Sequence, residues 1–441
     1  MAGMTSTAPA AGTGPRPLLN RRLAEFGTTI FAEMSALALR TGSINLGQGF
    51  PETDGPEEIR EAAVRALRDG RGNQYPPGPG VPELRTAVAD HQRRRYALDH
   101  DPDTEVLVTA GATEAIAAAL LALVEPGDEV IALEPYYDSY AACIAMAGAT
   151  RVPVTLRPAP AAAPAQGSAA PDAPHASNPS APPGAPVPRG SAGGAAAHRT
   201  FRLDLDELRD AVTDRTRLLL LNTPHNPTGT VLTRAELAEI ARLAVERDLL
   251  VVTDEVYEHL VFDGAEHIPL ATFPGMRERT VTIGSAGKTF SFTGWKVGWA
   301  TGSAELVTAV RAAKQFLTYV ASGPFQYAAA EALALPDSYF EGLRDELQAG
   351  RDLLAAGLAD AGFEVYRPTG TYFVTTDIRP LGESDGFAFC RALPERVGVV
   401  AIPNAVFYDH REMGAPYVRF AFCKRKDTLA EAVTRLGRLA P

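Results

Sequence analysis

Residues 106–135 read VLVTAGATEAIAAALLALVEPGDEVIALEP. A short apolar run, Val106 to Val108, precedes a glycine-led, alanine-rich segment, and after EPGD the run VIALEP is apolar again. The two apolar runs have the length of buried strands, and the segment between them predicts a helix. Strand, helix and strand in this order are typical of a parallel sheet whose faces are covered by helices.

The same alternation continues along the chain. Arg217 to Leu221, LLVVTDE (249–255) and TVTIGS (280–285) predict three more buried strands. Thr233 followed by Glu236 begins an intervening helix with a capping-box pattern. We therefore predict an α/β fold, in which a large domain with a mainly parallel sheet covered by helices is joined by a smaller α+β domain built from both chain ends.

Composition sets the predicted domain bounds. Residues 157–199 are almost entirely Ala, Pro, Gly and Ser, which predicts a disordered surface insertion, because such residues bury too little apolar area to offset the entropy of ordering. We predict a disordered tail over 1–16 and a large domain over 61–322 that carries this insertion. The small domain is predicted to combine 17–60 with 323–441.

The overall composition favours a small-molecule ligand. The chain has 441 residues, 46% of them hydrophobic, which is enough for two packed domains. A net charge of −11 without a long basic block argues against nucleic acid. Cys143, Cys390 and Cys423 stand far apart, which favours a reduced cytosolic protein over a disulfide framework or a metal site. No signal peptide or membrane-length apolar run is found, so we expect a cytoplasmic protein.

Polar side chains follow four of the predicted strands. They are Thr109 to Thr113, Asn226, Asp254 with Tyr257, and Ser285 with Lys288. Because the carboxyl ends of strands form the ligand crevice of an open α/β sheet, we expect these groups to converge.

Such a set has the chemistry that pyridoxal 5′-phosphate requires. Lys288 is the amine for a Schiff base with its aldehyde and, once displaced, the base that moves a substrate proton. Asp254 holds the ring nitrogen protonated, and Asn226 and Tyr257 are placed to hydrogen-bond the phenolic oxygen. No metal is needed.

The phosphate and the ring face have candidates as well. Ala112 and Thr113 offer backbone donors at a helix start, and Ser285 and Lys296 add a hydroxyl and a positive charge. Tyr137, in EPYYDSY, can lie over the ring.

Four motifs, in order along the chain, resemble those of the pyridoxal-phosphate-dependent class I aminotransferases of fold type I. They are NTPHNPTG, VVTDEVYE, SAGKTFSFTGWKVGW and YVRFAFCK. INLGQGFPETDGP and NQYPPGPG are most similar to the kynurenine and glutamine aminotransferase branch. The full-length pattern, with FAEMSALA and VRAAKQF, is most similar to actinobacterial N-succinyldiaminopimelate aminotransferases.

This resemblance implies an aminotransferase that moves an amino group between an L-amino acid and a 2-oxo acid in two half-reactions. The substrate implied first is N-succinyl-LL-2,6-diaminopimelate, with 2-oxoglutarate as acceptor. The alternative is a kynurenine or glutamine type of aminotransferase, with cysteine-conjugate β-lyase activity as a further reaction of the same site.

The resemblance also implies three more site residues. Arg419 corresponds to the arginine that holds the substrate α-carboxylate, together with Asn226, and Gly49 to a place where the backbone approaches the substrate. Tyr75 corresponds to a residue that reaches the cofactor phosphate of a partner subunit, which implies a homodimer with shared active sites. Some relatives have arginine at the place of Lys296, which forms a two-pronged grip that lysine cannot.

Other interpretations remain for these residues. GSAGKT is one residue short of the phosphate loop of nucleotide hydrolases, but Thr282 stands where that loop begins with glycine and no helical pattern follows Lys288. A cofactor-sensing regulator would need a DNA-binding helix pair, for which the N-terminal segment is too short. Taken singly, Lys288, Asp254 and Arg419 are compatible with a loop lysine, a helix cap and a surface arginine. Their joint pattern indicates the site.

Overall fold

The computed structural model of the protein describes residues 18–27, 29–160 and 199–440. The predicted tail at 1–16 and most of the predicted insertion, residues 161–198, lie outside the described residues.

Fourteen helices are found in the described residues. In chain order they are α1 (Ile30–Thr41), α2 (Glu57–Arg68), α3 (Pro82–Tyr96), α4 (Gly111–Leu123), α5 (Asp138–Ala147), α6 (Leu205–Asp210), α7 (Arg234–Glu246), α8 (Ala286–Thr289), α9 (Ala304–Leu317), α10 (Gly323–Leu333), α11 (Asp337–Asp360), α12 (Gly386–Val397), α13 (Arg411–Gly414) and α14 (Lys426–Leu436).

Fifteen strands accompany them in the same part of the chain. They are β1 (Ile44–Asn45), β2 (Val106–Thr109), β3 (Glu129–Glu134), β4 (Thr150–Thr155), β5 (Arg157–Pro160), β6 (Arg199–Arg202), β7 (Thr216–Asn222), β8 (Leu250–Asp254), β9 (Thr280–Ser285), β10 (Gly298–Thr301), β11 (Glu364–Tyr366), β12 (Phe373–Asp377), β13 (Val399–Val400), β14 (Ile402–Pro403) and β15 (Tyr417–Ala421).

The larger sheet has seven strands in the order β2-β10-β9-β8-β7-β3-β4. Only β10 runs antiparallel to its neighbours, so the predicted α/β class with a mainly parallel sheet is confirmed. Leu218 and Leu220 of β7 face a core shared with α4, α5 and α9, whereas Leu219 and Leu221 face one shared with α6 and α7. Successive side chains of a strand point to opposite faces, and here helices cover both.

The capping box predicted before α7 is present. The N–H of Glu236 donates to Thr233 Oγ1 at 3.3 Å, and the N–H of Thr233 donates to Glu236 Oε2 at 2.7 Å. Two donors at the helix start are thereby satisfied, which starts α7 at the end of the loop that follows β7.

A second sheet has six strands in the order β14-β15-β12-β11-β6-β5. Its strands β5 and β6 contain residues 157–160 and 199, the two ends of the predicted insertion, so those ends are strand residues. These residues form strands because each pairs with a neighbouring strand. Strands β5 and β6 are antiparallel partners, with Pro160 opposite Arg199, and Arg199 also pairs with Tyr366 of β11.

Residues 44–46 meet the C-terminal part of the chain beside this sheet. Strand β1 pairs in parallel with β13, and the N–H of Ala421 donates to the carbonyl of Leu46 at 2.7 Å. Helix α10, predicted to begin the C-terminal part of the small domain, packs against α2 and α3 and shares a core with β2. The division into domains remains a prediction, and this packing places α10 beside the larger sheet.

None of the helices in the described residues combines the length and the apolar character needed to cross a bilayer. The three cysteines are buried and form no disulfide.

Candidate active site

A cavity of about 960 Å³ opens at the carboxyl ends of β7, β8 and β9. Every predicted site residue except Tyr75 lines it. These residues are Gly49, Ala112, Thr113, Tyr137, Asn226, Asp254, Tyr257, Ser285, Lys288, Lys296 and Arg419.

Lys288 lies in α8, one turn beyond the end of β9. Its Nζ is 5.9 Å from the ring centre of Tyr257 and 5.7 Å from that of Tyr372. Burial lowers the pKa of the Lys288 ammonium, and the positive charges of Arg419 and Lys296 lower it further. A lowered pKa raises the fraction of neutral amine, which is the form that acts as a nucleophile or a base.

Asp254 ends β8 and is 5% exposed. Its Oδ2 accepts a hydrogen bond of 2.6 Å from the hydroxyl of Tyr140, and its Oδ1 accepts one of 3.3 Å from the N–H of Val256. Burial raises the pKa of this carboxyl, while the Tyr140 hydroxyl opposes that shift. A cationic N–H group placed against a buried carboxyl with a raised pKa would stabilise the ionised form of that carboxyl.

Arg419 of β15 meets Asn226 across the cavity wall. Its Nη1 donates to Asn226 Oδ1 at 2.9 Å, and its Nη2 donates to the carbonyl of Gly47 at 3.0 Å. The guanidinium is 2% exposed and lies 3.9 Å from the ring centre of Phe373. Burial lowers its pKa to about 10. Its Nε is buried and has no acceptor among the described residues, so the guanidinium retains a donor for an anion.

Asn226 is itself held by Asn222, at the end of β7. Asn222 Oδ1 accepts from the N–H of Asn226 at 2.7 Å, and Asn222 Nδ2 donates to the carbonyl of Asp254 at 2.8 Å. One amide therefore joins the ends of two adjacent strands and sets the positions of both polar side chains that follow them.

The start of α4 faces the same cavity. Gly111 has φ +77°, and a Cβ built there would lie 3.1 Å from Lys296 Nζ. Backbone N–H groups in the first turn of a helix have no acceptor within the helix. The N–H groups of Ala112 and Thr113 and the ammonium of Lys296 thus form a positively charged corner, with Ser285 also lining the cavity.

Gly49 lines the cavity and also packs closely against a neighbouring ring. A Cβ at Gly49 would lie 2.3 Å from Phe373 Cζ, so glycine is required for close packing against that ring. The carbonyl of Gly49 accepts a hydrogen bond of 2.6 Å from the hydroxyl of Tyr372.

The two remaining tyrosines differ in position. Tyr137 lines the cavity, its ring centre is 5.9 Å from that of Tyr140, and burial raises its pKa to about 12. Tyr75 is 80% exposed, its ring packs edge-on against Tyr319, and it does not line the cavity. Its predicted contact with the cofactor phosphate of a partner subunit stays a prediction.

The cavity residues that the sequence did not indicate include Tyr140, Asn222 and Arg411. Tyr140 bonds Asp254, Asn222 holds Asn226, and Arg411 lines the cavity at the start of α13. Tyr140 lies three residues after Tyr137, a spacing that puts two side chains on one helix face, and this was a usable signal. No sequence pattern indicated Arg411, because the segment around it carries no recognised motif.

One cluster of side chains that could bind a metal ion lies outside the cavity. Atoms of His91, Glu258 and His259 lie within 4.8 Å of one another. The two histidine Nε2 atoms are 3.0 Å apart and hydrogen-bond each other, and the hydroxyl of Tyr96 donates to Glu258 Oε2 at 2.7 Å. These groups satisfy one another, and burial lowers the pKa of His91 to about 3, which keeps it neutral.

Comparison with known proteins matches residues 41–165 and 194–436 to the family Aminotransferase class I and II. The chain is 53% identical over 427 residues to the "Probable N-succinyldiaminopimelate aminotransferase DapC" of Mycobacterium tuberculosis, covering 95% of this chain and 98% of that protein. It is 36% identical over 442 residues to the kynurenine–oxoglutarate transaminase of Dictyostelium discoideum, covering 95% and 96%.

A solved structure agrees with these matches. N-Succinyldiaminopimelate aminotransferase from Mycobacterium tuberculosis superposes with a TM-score of 0.84 at 54% identity, covering 96% of this chain and 100% of that one.

Proposed function

The chain belongs to the class I and II aminotransferase family, and on that premise we propose that its cavity binds pyridoxal 5′-phosphate and works by a two-step exchange. As an aminotransferase it acts on amino-acid and 2-oxo-acid substrates. The observation that supports the proposal most is the cavity itself, where the Lys288 amine, the Asp254 carboxyl and the Arg419 guanidinium meet.

The residues present fit this cofactor. Asp254 is a buried carboxyl whose pKa is raised, and a protonated pyridine nitrogen is the kind of partner that would offset its burial. The first turn of α4 and Lys296 offer donors and charge to a phosphate. When bound, the cofactor supplies an aldehyde that links to amines and a ring that accepts the electron pair of a broken Cα–H bond.

Lys288 takes two roles in this proposal. Its Nζ is the amine that would hold the cofactor aldehyde. As a free amine, the same nitrogen would take the proton from the substrate Cα. The lowered pKa of Lys288 suits both roles, because both require the neutral amine.

The neighbouring side chains would orient the cofactor ring. Asp254, which is held by the Tyr140 hydroxyl, would accept a hydrogen bond from the ring N–H. Asn226 and the Tyr257 hydroxyl would donate to the phenolic oxygen. Asn226 Oδ1 already accepts from Arg419, so its Nδ2 amide is the group left for donation. Tyr137 would pack against the ring face.

Arg419 binds the α-carboxylate that all α-amino acids share. Its guanidinium is pre-oriented by Asn226 and the Gly47 carbonyl, and its Nε is left to complete a two-pronged pair. Packing of Phe373 on the guanidinium keeps water away, which strengthens the ion pair.

We infer a homodimer with shared sites, in which Tyr75 reaches the phosphate of the partner's cofactor. Tyr75, Phe316 and Tyr319 are exposed at 80%, 85% and 57%, an apolar surface that an interface would cover. Lys288→Ala and Tyr75→Ala chains should regain activity when mixed and allowed to exchange, because one site of each mixed dimer then has both residues. If Tyr75 acted within its own chain, no activity would return.

For the substrate we propose N-succinyl-LL-2,6-diaminopimelate with 2-oxoglutarate as acceptor, supported by the 53% identity to the mycobacterial protein of that name. The second candidate is kynurenine, supported by the 36% identity to the transaminase of Dictyostelium. A competition assay with both donors decides between them. If kynurenine is preferred by more than about tenfold in kcat/KM, about 1.4 kcal/mol, the first assignment is wrong. Pyruvate release from a cysteine conjugate would reveal β-lyase activity.

A further inference from the structure

We propose that Arg411 binds a second carboxylate, at the far end of the amino donor, and thereby selects substrates with an acidic side chain. The inference rests on the proposed function, because it needs Arg419 to hold the α-carboxylate at the other end.

Arg411 is available for such a contact. It lines the cavity at the start of α13 and is exposed. Among residues 18–27, 29–160 and 199–440, no group forms a hydrogen bond or a salt bridge with its guanidinium. Glu25 and Asp138 also line the cavity, but neither pairs with Arg411. An arginine with free donors beside a ligand cavity is suited to grip a carboxylate.

The backbone that carries Arg411 is fixed. The N–H groups of Asp409 and His410 donate to the buried Glu134 Oε2 at 2.8 and 3.3 Å, and His410 Nδ1 contacts the same carboxylate. Arg151 of β4 grips the Asp409 carboxylate through Nε, at 2.6 Å, and through Nη2. The residues before Arg411 are thus tied to the ends of β3 and β4, so its side chain is presented to the cavity from a rigid base.

Several apolar side chains line the same cavity as the two arginines. Phe31 of α1 lies 5.4 Å from the Arg419 guanidinium and packs on Phe407, with 6.0 Å between the ring centres. Phe26, Phe387 and Val406 line the cavity as well. These side chains suit the methylene chain of a long substrate, while the two arginines suit its charged ends.

The test compares Arg411→Ala and Arg411→Glu with a matched control, Arg391→Ala. Arg391 is also an exposed arginine, its guanidinium lies 5.6 Å from the Phe387 ring, but it pairs with Glu33 and does not line the cavity. The first readout is binding to the cofactor-loaded enzyme of pimelate, a seven-carbon dicarboxylate, against heptanoate, its monocarboxylate counterpart.

We expect wild type and Arg391→Ala to prefer pimelate, and Arg411→Ala to lose about tenfold or more of that preference. Arg411→Glu should lose more, because it repels the second carboxylate. If the preference is unchanged in Arg411→Ala, or if both ligands weaken equally, Arg411 does not read the distal charge and the inference fails.

The second readout is the first half-reaction alone, followed by the change in cofactor absorbance. This measurement leaves out 2-oxoglutarate, because that acceptor carries a distal carboxylate that Arg411 would also bind. The ratio of rates with N-succinyl-LL-2,6-diaminopimelate and with methionine should fall at least about tenfold in Arg411→Ala. A wild type that reacts with no amino acid would refute the proposed function, whereas a reacting wild type with an unaltered ratio in Arg411→Ala would refute only this inference.

Discussion

At the scale of single residues, charge in the cavity is controlled by burial. Burial lowers the pKa of Lys288 and of Arg419, and it raises the pKa of Asp254. Each group is held by a neighbour, Asp254 by Tyr140 and Arg419 by Asn226. Positions fixed in this way reduce the reorganisation that a reaction requires.

We expect Lys288→Ala to abolish the visible absorbance of the cofactor-loaded protein and to lower turnover by at least about a thousandfold. The reason is that the covalent link needs the neutral amine of Lys288. Borohydride reduction followed by mass measurement checks the link directly. Lys296→Ala is the control: it should bind the cofactor more weakly and yet still be labelled. A labelled Lys288→Ala protein would contradict the assignment.

Arg419→Ala should cost at least about 2 kcal/mol in kcat/KM with every amino donor, because each donor carries the same α-carboxylate. Arg419→Lys should recover part of the loss, since it restores the charge without the fork. Steady-state kinetics with several donors is the measurement. A loss confined to acidic donors would mean that Arg419 reads the side chain instead.

At the scale of elements, the start of α4 is positioned by β10. A Cβ at Gly298 would lie 2.6 Å from the Gly111 carbonyl carbon and 2.8 Å from the N of Ala112. At Gly298 the strand and the start of the helix therefore approach each other backbone to backbone. This contact sets where the first N–H groups of α4 point.

We expect Gly298→Ala to lower the free energy of unfolding by about 1–3 kcal/mol and to weaken cofactor affinity, because the added methyl group displaces the start of α4. Gly294→Ala is the control, since nothing lies within 4 Å of a Cβ at that position. Urea unfolding and cofactor titration provide the two measurements. Equal behaviour of the two variants would show that α4 tolerates the displacement.

Replacement of residues 161–198 by Asn-Gly should change the free energy of unfolding by less than about 1 kcal/mol and leave turnover intact. Pro160 and Arg199 are paired across β5 and β6, so a two-residue turn can join them. Thermal unfolding and kinetics of the shortened protein check this. Loss of expression or of a dimer would mean that the segment packs against something.

At the scale of the whole molecule, several histidines are buried in the neutral form. Burial lowers the pKa of His91 to about 3 and that of His225 to about 4, and it lowers the pKa of His259 as well. In the unfolded chain a histidine has a pKa of about 6.5. At pH values between the folded-state pKa and the unfolded-state pKa of these histidines, the unfolded state binds more protons than the folded state, so acid favours unfolding.

We therefore expect the contribution of these histidines to stability to be retained above about pH 6.5 and to be lost as the pH is lowered from there toward about 4. Each such histidine contributes a slope of up to about 1.4 kcal/mol per pH unit. Urea unfolding at several pH values measures it, and His225→Gln should make the slope shallower. His410→Gln is the contrasting variant: Glu134 raises the pKa of His410, so its contribution to stability is fully present below about pH 6.5 and is lost only as the pH rises above that value. This variant should therefore leave the slope below about pH 6.5 unchanged. A slope below about pH 6.5 that is as steep in His225→Gln as in wild type would contradict this account.

The sequence by itself determined five of the seven strands of the main sheet and the polar residues that follow them. Strands β2, β3, β7, β8 and β9 were recognisable because apolar runs, glycines and a capping box act over a few neighbouring residues. Lys288, Asp254 and Asn226 follow directly from those strands, so their convergence required only the rule that parallel strands end at one edge. The resemblance of motifs then added Arg419 and Gly49.

Only the tertiary structure decided the contacts between distant parts of the chain. Tyr140 hydrogen-bonds Asp254 although 114 positions separate them in the sequence, and Arg419 hydrogen-bonds the Gly47 carbonyl across a separation of 372 positions. The pairing of β5 with β6, the antiparallel β10 and the place of Arg411 belong to the same class. Such contacts depend on how whole elements pack against one another, and local periodicity contains no information about which distant element will supply the partner.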